Sequence, residues 1–173
     1  IAAVLCTTGY SADDEKQVAL LAQRMPIFRS ANMSMGVHVL KTLAALASKL
    51  LPGFDIEIVE KHHNQKVDAP SGTALQLLNA VKKDDTILQY GRTPASGKRA
   101  AAEIGLHAVR GGTVAGEHEV GFYGSNEVLT LTHSAQNRAV FAAGALRAAS
   151  FIQGKPAKLY TMDDYMSELN KSF

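Results

Sequence analysis

Three short runs in which apolar and polar residues alternate, at 104–109, 118–123 and 128–133, follow one another with only glycine-rich turns between them. A period of two is the pattern of a strand with one buried face. Residues 54–60 alternate in the same way, with Phe54, Ile56 and Ile58 set against Asp55 and Glu57. A long helix over 35–51, capped by Ser34 and stopped by Pro52-Gly53, precedes that strand, and a short helix over 73–81 follows it. An Ala-rich helix over 137–151 comes after the three runs. Strands in series with helices around them predict an α+β region with a mixed or antiparallel sheet and helices on one face.

The first 35 residues obey a different rule. Residues 1–5 are a continuous apolar run, as expected of a strand buried on both faces. Ser11 caps a helix over 13–24, with Val18, Leu21 and Ala22 on one side and acidic residues in its first turn. Residues 26–28 form a second short strand. Strand, helix, strand is the βαβ unit of a parallel sheet. The expected division is therefore 1–35 as the end of a doubly wound α/β domain, 36–153 as the α+β domain, and 154–173 as a tail returning to the first. Residues 90–99, with Gly, Pro and Ser, read as a flexible loop. The chain opens inside a strand, without Met, a basic n-region or a cleavage pattern, so the rest of the α/β domain is expected to precede it.

Composition excludes several classes of function. A net charge of +2, with basic residues scattered, gives no electrostatic footprint for nucleic acid or an anionic membrane surface. No apolar run reaches the ~20 residues that span a bilayer. The single cysteine, Cys6, rules out an intrachain disulfide and fits a reducing cytoplasm.

The chemistry is concentrated in residues 60–73, which read E-K-H-H-N-Q-K-V-D-A-P-S-G-T. A histidine near its ordinary pKa exchanges protons at neutral pH. Lys66 can hold an anion or donate a proton. Ser71-Gly72-Thr73 opens a helix whose free N–H groups attract an anion, and Gly72 lets a ligand approach the backbone. His63 and Lys66 beside that helix start would make a pocket for a small dianion such as a dicarboxylate. The same residues have plain structural uses as well. His62-His63 can be surface residues at a strand end, Ser71 a cap alone, and Asp68 a partner for Lys66. Adjacent strand residues point to opposite faces, which argues against the histidine pair as metal ligands, and no metal site is expected.

The string from Glu60 to Ala74, E-x-H-H-x-x-K-x-D-A-P-S-G-T-A, closely resembles the signature of the dihydrodipicolinate reductases, also called 4-hydroxy-tetrahydrodipicolinate reductases. Further matches follow in the family's order. They are Thr7-Thr8-Gly9, then Asn32, Ser34 and Gly36, then Ile104-Gly105 with 107–112 and Gly116-Glu117-His118, then Leu131-Thr132-His133, and last Arg138 and Phe141. The resemblance implies a Rossmann-like parallel sheet before the α+β domain. It implies hydride transfer from NADH or NADPH to a small cyclic dicarboxylate, giving tetrahydrodipicolinate in lysine and diaminopimelate biosynthesis. It assigns His62 as proton donor or acceptor and Lys66 as second catalytic residue and proton donor. His63, Ser71, Gly72 and Thr73 fall to the substrate carboxylates. Cys6, Thr7 and Thr8, with Ser30, Ala31, Asn32 and Met33, fall to the nicotinamide site. It also implies a homotetramer joined through the sheet of the α+β domain.

The chain departs from the family pattern in places. The Gly-rich dinucleotide fingerprint is absent, and Gly111-Gly112 and Gly116 do not open a helix to replace it. Cys6 stands where glycine is usual, and Ser30-Ala31-Asn32-Met33 replaces Ala-Pro-Asn-Phe. Arg110 reads equally as a substrate contact or a brace for the following turn, and His107, His118 and His133 read first as sheet-packing or interface residues. The alternative function is a ligand-binding and oligomerisation module without turnover.

Overall fold

The computed structural model describes residues 1–170. In chain order the elements are β1 (Ala3–Leu5), α1 (Ala12–Ala22), β2 (Ile27–Arg29), α2 (Met35–Leu50), β3 (Asp55–His62), α3 (Gly72–Val81) and β4 (Ile87–Tyr90). They continue with β5 (Glu103–Arg110), β6 (Glu117–Tyr123), β7 (Val128–Ser134), α4 (Ala139–Phe151), β8 (Leu159–Tyr160) and α5 (Met162–Asn170). The chain divides into two compact units, residues 39–137 and residues 1–38 with the segment from Arg138 onward. Among the described residues no helix is long and apolar enough to cross a membrane.

The 39–137 unit is built on a five-stranded sheet of order β4-β5-β3-β6-β7. It is mixed, as expected: β4, β5 and β3 run parallel, while the β3–β6 and β6–β7 pairs are antiparallel. The pleat sends Ile58, Ile104, Leu106, Val120 and Phe122 to one face. There they bury against Leu40, Ala44 and Ala47 of α2 and Leu77, Leu78 and Val81 of α3. Both helices therefore lie on the same face. The opposite face is polar along its middle, where Glu57 accepts hydrogen bonds from His107 (2.8 Å) and Arg99 (3.1 Å).

β4 was not expected. Only four residues long and half exposed, it lies between two aspartates and Gly91, and local pattern does not distinguish it from loop. Its pairing with β5, Ile87 to Glu103 through Tyr90 to Leu106, makes it a strand.

The other unit holds a three-stranded parallel sheet, β1-β2-β8. Helix α1 is opened by a capping box: the Ser11 hydroxyl accepts from the Asp14 N–H, and the Asp14 carboxylate accepts from the Ser11 N–H (2.9 Å). Val18 and Ala22 of α1 bury with Ile27. The core of this unit also includes Phe28, Met33, Ala148, Ile152, Tyr160 and Met162. Residues 138–153 therefore group here, whereas sequence pattern set them with 36–153. Helix α4 packs Phe141, Ala145, Ala148 and Phe151 into that core, and one glycine lets it come close. A Cβ on Gly144 would sit 1.8 Å from the Met33 carbonyl oxygen, so only glycine lets the helix lie against that backbone.

Candidate active site

The histidine-rich segment lies where β3 ends and α3 begins. Alternation along β3 puts Ile58, Glu60 and His62 on the helix-covered face. Parallel pairing sets His62 opposite Arg110 on β5, and antiparallel pairing sets Glu60 opposite His118 on β6. Ser71 caps α3 by accepting from the Ala74 N–H (3.2 Å).

At the centre is Glu60, fully buried. Both its oxygens accept from the Arg110 guanidinium, at 2.8 and 2.7 Å. The Ser71 N–H donates to it at 3.0 Å and His62 Nδ1 at 2.5 Å. Burial alone would raise the pKa of this carboxyl, but the bonds from Arg110, His62 and Ser71 prevail and leave it below the ordinary value. Burial is also the main reason His62 titrates below its usual range; the Glu60 contact opposes the shift, while the charges of Lys66 and Arg110 add to it. His62 is thus neutral at pH 7.

A second buried histidine adjoins the first. The His118 ring meets His62 edge to face, with centroids 5.1 Å apart, and its Nε2 shares a 3.1 Å hydrogen bond with the Ser71 hydroxyl. Burial foremost, then the neighbouring His62, pushes His118 down to about 4.

The loop after β3 is tied to the turn after β5. Gly111 N–H donates to the His62 carbonyl (2.9 Å), His63 N–H to the Val114 carbonyl (2.8 Å) and Asn64 N–H to the Gly112 carbonyl (3.2 Å). Gly112 makes that turn at φ +53, a region glycine enters without strain. Lys66 donates to Asp68 (2.7 Å) and is 21% exposed, while Asp68 is 60% exposed. Asp68 is held below the usual carboxylate range, first by that bond. His63 and Thr73 are half-buried, and Gly72 is exposed at the helix start.

The structure therefore gathers His62, His63, Lys66, Ser71, Gly72 and Thr73 around one strand end and one helix start. Ser71 differs from its neighbours in this group. It is buried, with its hydroxyl engaged by Ala74 and His118 and its amide by Glu60. Arg110, open between two roles on sequence, takes the bracing one: besides Glu60 it donates to the Asp68 carbonyl at 2.6 Å. Local pattern does not single out Glu60, and it sets His118 with sheet packing. The available signal was Glu60's two-residue spacing from His62, which places both on one strand face.

The other candidates belong to the first unit. Cys6, Thr7 and Thr8 follow β1 and are exposed; Ser30, Ala31, Asn32 and Met33 follow β2. The two strands are adjacent and parallel, so both segments leave the same edge of the sheet, the carboxyl end where open parallel sheets bind ligands. That placement fits a nicotinamide coenzyme. The second loop is tightly held. The Asn32 carbonyl accepts from the Ser30 hydroxyl (2.7 Å) and from His38 Nε2 (2.9 Å), and the Asn32 side chain accepts from the Ser34 N–H (2.8 Å). Met33 sends its side chain into the core. Among the described residues no group of three or more His, Cys, Asp or Glu side chains is placed to hold a metal ion.

Comparison with known proteins gives the family. Residues 36–166 match the family model described as dihydrodipicolinate reductase, C-terminus. The 4-hydroxy-tetrahydrodipicolinate reductase of Caldanaerobacter subterraneus subsp. tengcongensis is 52% identical over 171 residues, covering 97% of this chain and 68% of that protein. That of Staphylococcus carnosus is 47% identical over 163 residues, covering 93% and 67%. The chain thus spans about two thirds of the length of these relatives. Among solved structures, dipicolinate-bound dihydrodipicolinate reductase from Paenisporosarcina sp. TG-14 superposes with a TM-score of 0.71 at 26% identity, over 93% of this chain and 63% of that one. The chain belongs to the dihydrodipicolinate reductase, or 4-hydroxy-tetrahydrodipicolinate reductase, family.

Proposed function

We propose that this chain carries the substrate-binding and proton-handling part of an NAD(P)H-dependent reduction of dihydrodipicolinate (4-hydroxy-tetrahydrodipicolinate) to tetrahydrodipicolinate in lysine and diaminopimelate biosynthesis. The observation that carries the reading is a buried histidine, His62, bonded to Glu60 and set among Lys66, Arg110 and the start of α3. A twice-negative ring is drawn to Lys66 and to the positive end of α3. Gly72 and Thr73 offer first-turn amides to one carboxylate, and His63 takes part in holding the substrate from the strand side. Ser71 supports them from within by capping the helix. Lys66 is partnered now by an exposed aspartate, a contact of small net strength that an incoming carboxylate can replace.

The coenzyme, when bound, supplies the hydride. Reduction of the ring leaves electron density that must be protonated; His62 and Lys66 are the groups that exchange that proton, and fixed N–H donors stabilise the developing anion. Cys6, Thr7 and Thr8 on one loop, and Ser30, Ala31, Asn32 and the backbone of Met33 on the other, hold the nicotinamide, the Met33 side chain being taken up by the core. The fit is the paired loops at the carboxyl ends of β1 and β2, and it serves NADH or NADPH alike. The family resemblance supports assembly as a homotetramer through the open face of the five-stranded sheet, in the cytoplasm.

An assay of NAD(P)H oxidation with the cyclic substrate tests the roles, using the protein at its native length. His62→Gln and Lys66→Ala should each lower kcat by roughly 10²-fold or more. Thr73→Val should mainly raise KM. A His62→Gln enzyme with undiminished turnover at saturating substrate would show that the proton role lies elsewhere.

A further inference from the structure

The network behind His62 is larger than a histidine needs for packing. Glu60 has no exposed surface, yet it is ionised and accepts from three directions: Arg110 on β5, the Ser71 amide at the start of α3, and His62 on its own strand. A buried carboxylate costs several kcal/mol to desolvate, and its attraction to a partner roughly balances that cost. Such a group is a poor way to gain stability and a good way to fix geometry. Its effect on His62 follows from proton bookkeeping. An ionised carboxylate only accepts, so the imidazole must present N–H at Nδ1. A neutral imidazole has one proton, so Nε2 is left with its lone pair. Among the described residues Nε2 has no hydrogen-bond partner, and a Cβ on Gly116 would come within 3.1 Å of that nitrogen.

We propose that Glu60, held by Arg110 and the Ser71 amide, is a positioning residue that locks His62 in the Nδ1–H tautomer and makes Nε2 its proton-exchanging atom, with Gly116 keeping the approach to Nε2 open. This rests on the reading of His62 as the acid–base group. The groups facing His62 are Glu60 on its own strand, Lys66 on the following loop, Arg110 on β5 and His118 on β6, with His133 beside His118 on β7. Of these, only Glu60 favours the charged imidazole.

The test uses the protein at its native length. In the wild type, ring nitrogen NMR should find His62 protonated at Nδ1 and bare at Nε2. Glu60→Gln keeps the shape but can turn an NH2 toward Nδ1, which then must accept. That variant should lose the Nδ1–H signature and about 10²-fold in kcat, with KM within roughly threefold. The limb of the kcat–pH profile set by His62 should move to lower pH, because the group favouring its charged form has gone. Gly116→Ala should also lower kcat, by crowding Nε2. A proton on Nε2 in the wild type overturns the proposal, whether or not Glu60→Gln folds. So does a Glu60→Gln enzyme with unchanged kcat and pH profile while His62→Gln is impaired, since only the positioning role then fails. An unimpaired His62→Gln would instead remove the acid–base reading itself.

Discussion

The two units of the chain treat charge in opposite ways. In the 39–137 unit Glu60, His62 and His118 are buried and Arg110 largely so: Glu60 bonds Arg110 and His62, and the His118 ring packs against His62. In the other unit the ion pairs each keep a partly or fully exposed carboxylate, as in Arg29 with Glu15, Lys155 with Glu168 and Lys158 with Asp164, and the buried His38 faces the exposed Asp163. Exposed pairs gain little, because water screens them and long side chains must be ordered to make them. Buried ones come with a desolvation cost that only good geometry offsets. The contrast separates a surface that tolerates charge from a site that uses it.

The largest expected effect breaks the buried pair from one side. Arg110→Met leaves Glu60 ionised, buried and short of two donors, which should cost about 3–5 kcal/mol. Arg29→Met removes the guanidinium from a pair whose carboxylate, Glu15, is 46% exposed, and should cost about 1 kcal/mol or less. Urea denaturation followed by circular dichroism compares the two. Equal, small shifts for both would mean that burial of the Glu60 network makes no difference.

Acid should separate the same regions next. His118 falls from an ordinary 6.5 to about 4 in the folded protein. Between those values the unfolded chain binds a proton that the folded chain refuses, so stability falls as pH drops through that window. The loss is on the order of 3 kcal/mol once pH reaches the lower value. His62 and His133 are also depressed and act in the same direction. Glu60 behaves as the usual depressed carboxylate, contributing above its unfolded pKa and losing that contribution only in stronger acid. The decline from 6.5 down to about 5, above the ordinary carboxylate range, therefore belongs to the histidines, and His118→Gln should flatten it. An unchanged slope in that variant would show His118 to be charged in the folded state.

What the sequence made legible follows the range of the contacts. The string from Glu60 to Thr73 is contiguous, so His62, His63, Lys66 and the α3 start could be recognised together. The capping residues Ser11, Ser34 and Ser71 were readable for the same reason, since a cap acts three residues away. Arg110 and His118 reach the site only through strand register, His62 beside Arg110 and Glu60 beside His118. No local period encodes that register, and their roles stayed open. β4 carries too few residues to show a period, and α4 joins the first unit through the missing Cβ of Gly144, a fit that only the backbone of residue 33 reveals.

The smallest expected effect isolates one residue type doing two jobs. Ser11 and Ser71 both cap helices, but Ser11 is exposed and bonds only within its own turn, while the Ser71 hydroxyl also serves His118. Ser11→Ala should cost about 1 kcal/mol, the ordinary value of a cap. Ser71→Ala loses the same cap and additionally strips His118 Nε2 of its partner in a buried setting, adding roughly 1–2 kcal/mol. Its amide survives the substitution, so Glu60 keeps that donor and His62 its tautomer. Turnover should then fall far less in Ser71→Ala than in Glu60→Gln. Chemical denaturation gives the difference between the two caps, and steady-state kinetics shows whether it reaches the chemistry. If Ser71→Ala matched Ser11→Ala in stability, the bond to His118 would carry no weight, and the buried network would end at Glu60.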